Sequence, residues 1–193
     1  MSEGGYVRNK ASWLAAFDHS ISSWVAEASE SHTLVRRGSV ILAHAGDGLV
    51  WMIIGLAIFI LGTPNGKQNL YQIAISVLLT ALLVTACKFG VRRRRPQGTK
   101  SAQWSSLPKY DVYSFPSGHA ARAACIAAGL FAAYPPVRVP VAIWAIGVCW
   151  ARVAVAAHYL FDVLIGILIG VLAASLVARF WPSLILHLYQ LHL

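Results

Sequence analysis

Three short polar stretches interrupt an otherwise strongly apolar sequence, and each carries residue types suited to chemistry on an anion. The first holds Lys88 and, after six intervening residues, Arg95-Pro96. A helix end followed by a loop can fold both cations onto one anion, and arginine adds a planar fork that matches phosphate oxygens. Pro96 stiffens the chain immediately afterwards. The second is Pro116-Ser117-Gly118-His119, where glycine lets the backbone approach a ligand and a helix start aims free N–H groups at a bound anion. The third sets Arg152 ahead of His158 and Asp162. The last two are four residues apart, which on a helix places them on one face. A carboxylate there can fix one imidazole nitrogen and leave the other free to attack. These are the ingredients of a site that grips a phosphate and attacks it with a histidine.

The elements that must position these residues are membrane-like. Of 193 residues, 58% are hydrophobic and 12% charged, against roughly 45–50% and 25% in a soluble domain. Spanning a bilayer takes about 20 apolar residues. Four runs approach or meet that length: Ser39–Gly62, Leu70–Cys87, Val139–Ala151 extended by Val153–Ala157, and Val163–Phe180. A fifth, Ala120–Tyr134, is short and mostly alanine. The expectation is an all-α integral membrane bundle of about five transmembrane helices in one domain, with the transmembrane catalytic core over residues 39–180.

The N-terminus does not read as a cleavable signal peptide, because residues 1–10 are polar and Asp18, His19 and Glu27 break the segment that follows. At helical spacing Trp13, Leu14, Phe17, Ile21, Trp24, Val25 and Ala28 share a face. Residues 10–36 thus read as an amphipathic interfacial helix, or as an ordinary helix packed on the bundle, and in neither case as catalytic. Cys87, Cys125 and Cys149 lie in apolar runs without C-x-x-C spacing and read as buried helix residues. The sequence holds no zinc pattern, no Gly-rich nucleotide loop and no internal repeat.

Threading the runs brings the three polar stretches together. The turn Thr63–Asn69 joins the first two spans, and the second ends at Lys88. The loop Val91–Phe115 leads to Ser117 at the start of the third, which exits on the opposite side at Tyr134-Pro135-Pro136. The fourth returns to deliver Arg152, a short connector carries His158, and the fifth begins at Asp162. All three stretches fall on one face of the membrane. Alone, each has an ordinary reading: a structural His/Asp pair, a juxtamembrane basic cluster at Arg92–Arg95, and a common helix start. Their occurrence in order and on one face favours a single site.

Other residues have readings of their own. His44 and Asp47, three apart on the first span, read mainly as structural, with proton relay as the alternative. Arg122, one turn beyond His119, is a candidate partner for Asp47, since a buried charge is costly unless paired. Gly166 and Gly170 form a small-residue face that lets helices approach closely. Trp24, Trp51, Trp104, Trp144 and Trp181 read as packing or interfacial residues.

The stretches Lys88-Phe-Gly-Val-Arg-Arg-Arg-Arg95-Pro96, Pro116-Ser117-Gly118-His119 and Arg152-Val-Ala-Val-Ala-Ala-His158-Tyr-Leu-Phe-Asp162 resemble the three signature motifs of the type 2 phosphatidic-acid phosphatase superfamily. Its members include lipid phosphate phosphatases and bacterial isoprenyl-diphosphate phosphatases. The resemblance covers roughly Ser39 to Phe180. One departure is Ala151, where the third motif usually has serine before the arginine.

The resemblance implies that His158 attacks phosphorus to form a phosphohistidine, with Asp162 orienting it. It implies that His119 protonates the leaving oxygen and then activates water. Lys88, Arg95, Arg152, Ser117 and the Gly118 amide would hold the phosphate oxygens. No metal or other cofactor is implied. The expected substrate is a lipid phosphate, with an isoprenyl or undecaprenyl diphosphate favoured. Phosphatidic acid or phosphatidylglycerophosphate is the alternative, and a lipid phosphotransferase or an inactive membrane scaffold stands further off.

A net charge of +9 by itself is compatible with nucleic acid, but its distribution favours anionic lipid. Arg8, Lys10, Arg36, Arg37, Arg92, Arg93, Arg94, Lys100 and Lys109 fall on the site's side, against Lys67, Arg138 and Arg179 opposite. The expected setting is the cell membrane, as a multi-pass protein. Positive-inside bias slightly favours a cytoplasmic catalytic face, although many bacterial relatives face outward.

Overall fold

Seven helices, α1 (Glu3–Ser31), α2 (Thr33–Ala45), α3 (Gly48–Leu61), α4 (Pro64–Val91), α5 (Gly118–Ala133), α6 (Arg138–Ala154) and α7 (Leu160–Leu191), account for nearly all the described chain. The computed structural model describes residues 3–96 and 112–191, with side chains for 13–96 and 112–183. Lys100, Trp104 and Lys109, and the side chains of Arg8 and Lys10, lie outside the described residues. Among the described residues the extended chain is limited to one bridge, Arg94 to Tyr113.

The polarity is that of a membrane protein. Large apolar side chains such as Ile53, Leu56, Leu82, Leu168 and Leu172 face outward, while alanines, serines and charged groups fill the interior. With apolar lipid outside, close packing of small residues and hydrogen bonds hold the helices together. Among the described residues three helices are long and apolar enough to cross a bilayer: Pro64–Val91, Pro135–Ala154 and Leu160–Ser183. The helix α5 is apolar but shorter.

The run Ser39–Gly62, expected as one span, is instead two helices, α2 and α3, bent by 48°. The break falls at Gly46-Asp47-Gly48, where Asp47 adopts an extended backbone as the N-cap of α3. A Cβ on Gly46 would meet Val148 of α6 at 2.7 Å, so the glycine allows α2 to close on that helix. Trp144 of α6 fixes the same corner by donating from Nε1 to the Ala45 carbonyl at 3.2 Å.

The N-terminal segment also departs from expectation. The helix ends at Ser31, and extended His32 starts α2, so residues 10–36 are not one helix. The interior face of α1 carries Asp18, Ser22, Ala26 and Ser29, all buried, while Trp13, Leu14, Phe17 and Trp24 point outward. Ser29 shares a hydrogen bond with Ser39 of α2 at 3.3 Å. Of the two sequence readings, packing on the bundle describes the contacts of α1, with its apolar arc turned away from the protein.

The α5–α7 pair forms the tightest seam, and the Gly166/Gly170 face lies in it as expected. A Cβ on Gly166 would meet the Ser117 carbonyl at 2.6 Å, and one on Gly170 would collide with the Ala121 carbonyl. The opposing surface is Ala120, Ala121 and the backbone of Cys125. Gly170→Ala is therefore expected to cost about 1–3 kcal/mol through overpacking against backbone, read as a lower thermal midpoint in detergent. A melt that overlays the wild type would show that the seam can widen freely.

Candidate active site

The N-terminus of α5, the C-termini of α4 and α6, and the start of α7 meet at one end of the bundle. Arg92, in the left-handed region at φ 53°, ends α4 and turns the chain inward. The segment after it pairs with the segment before α5: Ser114 N–H donates to the Arg93 carbonyl at 2.8 Å, beside the Arg94–Tyr113 bridge. Lys88, in the last turn of α4, donates to the Tyr113 carbonyl at 3.3 Å. Arg95 donates to the Ala157 carbonyl at 3.3 Å. The first polar stretch is thereby clamped between the other two.

His158 does not stand on a helix. It lies in the connector between α6 and α7, folded by N–H groups of Ala157 and His158 onto the Arg152 carbonyl, each at 3.1 Å. Ala156 takes φ 51° to make this turn, a left-handed conformation uncommon for a residue with a Cβ. The ring is 1% exposed. Its Nδ1 lies 2.7 Å from the Ser114 carbonyl, which can only accept, so Nδ1 carries the proton. Asp162, expected to fix this tautomer through helical spacing, is 3.8 Å away. The orienting acceptor is Ser114, because the connector replaces the helix that the spacing assumed. Nε2 of His158 is buried and has no hydrogen-bond partner among the described residues.

Burial, reinforced by the Arg152 and Arg95 charges, pushes the His158 pKa down to about 4. The imidazole is therefore neutral and nucleophilic at neutral pH. In histidine-labelled protein in micelles, its NMR signals should remain those of the neutral ring down to about pH 4. A midpoint near 6.5, the value for a solvated histidine, would show that the ring is wet.

Asp162 is fully buried and serves as an anchor. It accepts from Arg93 Nη1 at 2.7 Å and from the Tyr159 N–H at 2.9 Å. The other end of the Arg93 fork donates to Asp18 of α1 at 2.7 Å, and the guanidinium lies 3.9 Å over the Tyr159 ring. Asp18 and Ser22 also accept the N–H groups of Phe161 and Leu160, at 3.0 and 2.9 Å. Side chains of α1 thus cap the first turn of α7 and satisfy donors that a helix start leaves unpaired.

Ser117 is the N-cap of α5, its hydroxyl accepting from Ala120 N–H at 3.5 Å while its own N–H donates to the Asp162 carbonyl at 2.9 Å. Gly118 opens the helix beside a cavity of about 620 Å³, also lined by Lys88, Tyr113, Thr80 and Arg122. Arg152, buried in the last turn of α6, faces both His119 and His158 electrostatically. His119 Nε2 lies 2.9 Å from Asp47 Oδ1, and Asp47 Oδ2 is 2.9 Å from His44 Nδ1. The expected Arg122–Asp47 pairing is not a direct hydrogen bond, and the partners of the carboxylate are the two histidines. Arg122 senses Asp47 only through its charge.

All eight residues singled out from the sequence, Lys88, Arg95, Ser117, Gly118, His119, Arg152, His158 and Asp162, lie at this end. Sequence reasoning missed Ser114, Arg93, Asp18 and Ser22. One signal was present, since Asp18, Ser22, Ala26 and Ser29 recur at helical spacing as a small, polar stripe opposite the apolar face.

The fold that carries these residues has counterparts among known proteins. A family model described as the PAP2 superfamily matches residues 69–185. Among solved structures, LpxE from Aquifex aeolicus superposes with a TM-score of 0.68 at 21% identity, covering 83% of this chain and 93% of its own. A transmembrane PAP2-type phosphatidylglycerolphosphate phosphatase from Bacillus subtilis gives a TM-score of 0.67 at 22% identity, covering 88% and 87%. Each shares the fold described above.

Proposed function

The chain belongs to the PAP2 superfamily, and on that premise we propose that it is a membrane phosphohydrolase that releases phosphate from a lipid phosphate through a phosphohistidine on His158. The observation that carries this reading is the state of that ring. Nδ1 is committed to a carbonyl, Nε2 is buried without a protein partner among the described residues, and cationic side chains surround it.

In the first half-reaction Nε2 bonds to phosphorus as the phosphorus–oxygen bond to the lipid breaks. His119 gives its proton to the departing oxygen. Lys88, Arg95, Arg152, Ser117 and the Gly118 amide hold the other phosphate oxygens, where charge is stabilised in the transition state. The phosphorylated ring becomes cationic, and Asp162 at 3.8 Å offsets that charge. Water then attacks the phosphohistidine, His119 takes its proton, and phosphate leaves. This reading assigns charge stabilisation to side chains and amides, so turnover should persist in EDTA and be blocked by vanadate.

An isoprenyl diphosphate is the favoured substrate. An apolar groove of about 520 Å³ runs between α3, α4 and α5, from Gly48 to Tyr134, and Arg122 lines both it and the cavity beside Gly118. A hydrocarbon chain in the groove would leave its phosphate end at the cations. Phosphate release in detergent, measured across isoprenyl diphosphates, phosphatidic acid and phosphatidylglycerophosphate with His158→Ala as control, tests the assignment. Preference for the isoprenyl compounds supports it, and a preference for glycerophospholipids moves the substrate to that class. Comparable rates on all of them make the enzyme broad in specificity.

A further inference from the structure

We propose that Asp47 is a positioning residue that holds His119 in the form that donates a proton to the leaving oxygen, an inference that rests on the phosphohydrolase reading above. Asp47 stands outside all three polar stretches, 72 residues from His119 in sequence, and the break between α2 and α3 delivers it. One oxygen meets His119 Nε2 at 2.9 Å, and His44 holds the other at 2.9 Å. The carboxylate is therefore oriented from α2 and aimed at α5.

That contact assigns the two ring nitrogens. When Nε2–H donates to Asp47, Nδ1 is the position left for exchange with substrate. The surrounding charges show why a carboxylate is needed. Arg122 from the same helix, Arg152 from α6 and the His158 ring all face His119. A proton added to His119 meets first the cost of burial and then their repulsion, and Asp47 is the carboxylate that works against both.

The proton balance follows. As the phosphorus–oxygen bond breaks, its electron pair leaves with the lipid oxygen, which takes the Nδ1 proton of His119. The ring returns to neutral with its Nε2–H still on Asp47, which stays ionised throughout. Attack by water restores the Nδ1 proton.

Asp47→Asn keeps the shape and suits an N-cap position, but removes the charge. The full-length variant in detergent is compared with wild type on two substrates that differ in leaving group. On a lipid phosphate, whose alkoxide must be protonated, kcat is expected to fall by roughly 10²-fold, within the range ascribed to general acid catalysis. On p-nitrophenyl phosphate, whose leaving group departs without a proton, the loss is expected to be less than about threefold. Vanadate should inhibit the variant at the wild-type concentration, showing an intact phosphate pocket.

Equal losses on both substrates, or weakened vanadate inhibition, would make Asp47 merely structural and overturn the proposal. Unchanged turnover on the lipid would overturn it too. His158→Ala keeps the two levels apart, since it must lose both substrates alike. If it does so while Asp47→Asn shows no leaving-group dependence, only the role of Asp47 fails. If His158→Ala still turns over, the phosphohistidine reading falls and takes this one with it.

Discussion

Replacing His158 with alanine is expected to reduce phosphate release by roughly 10⁴-fold or more, because removing a nucleophile leaves only binding and charge stabilisation. Asp162 cannot take its place, since Arg93 and the Tyr159 N–H occupy its oxygens. Wild-type enzyme denatured under alkaline conditions during turnover should carry acid-labile phosphate on this residue, and the variant should carry none. Turnover within tenfold of wild type would exclude His158 as the nucleophile.

The same variant should show a second effect on stability. A solvated histidine titrates near 6.5, and in the fold His158 is held to about 4. Between those values the unfolded chain binds more protons, so this residue makes the protein less stable as the pH falls from about 6.5 toward 4. His158→Ala removes that component, and its thermal midpoint should decline less over this range. An unchanged slope would mean that burial does not hold the ring neutral.

Arg93→Ala is the second large effect, and here the loss is in folding as much as in catalysis. Asp18 and Asp162 are 1% and 0% exposed, and each gives an oxygen to the same guanidinium at 2.7 Å. Removing one partner of a buried ion pair typically costs 3–5 kcal/mol, roughly the penalty for a buried charge left uncompensated. Stability in denaturant titrations should fall by about that amount, and activity should fall with it as α1 and α7 lose their common anchor. Arg93→Lys keeps the charge but not the two-pronged fork, and should recover only part of either loss. Adding Asp18→Asn to Arg93→Ala should be markedly non-additive, because one buried charge is then removed. Strict additivity would show that the two side chains act independently.

How far these features could be read in advance depends on their range along the chain. Most of the spans follow from apolar length, and the eight candidate site residues from local motifs whose chemistry is complete within a few positions. The connections between motifs are long-range. Arg93 meets residues 75 and 69 positions away, so the arginine run looked like a surface cluster when it was read alone. Spacing misled at His158, because four residues imply a shared helical face only where the chain is helical, and α7 begins at Leu160. Asp47 stands out beside His44 in the sequence, but its contact with His119 was not legible, because the flanking glycines mark a bend that hydropathy averages away. The inward stripe of α1 was legible, but the larger aromatic residues opposite it drew the reading toward a lipid-facing role.

Capping of α7 by α1 also bears on assembly. The N–H groups of Leu160 and Phe161 find their acceptors on Ser22 and Asp18, 138 and 143 residues earlier, so a helix made early in synthesis completes one made much later. Until α7 has been synthesised, Asp18 and Arg93 lack the Asp162 carboxylate and the N–H donors of α7. A truncated chain lacking α7 therefore lacks the anchor of the connector that carries His158 as well as a span. The candidate site is therefore expected to form only once α7 is in place, so a chain truncated before Leu160 should release no phosphate.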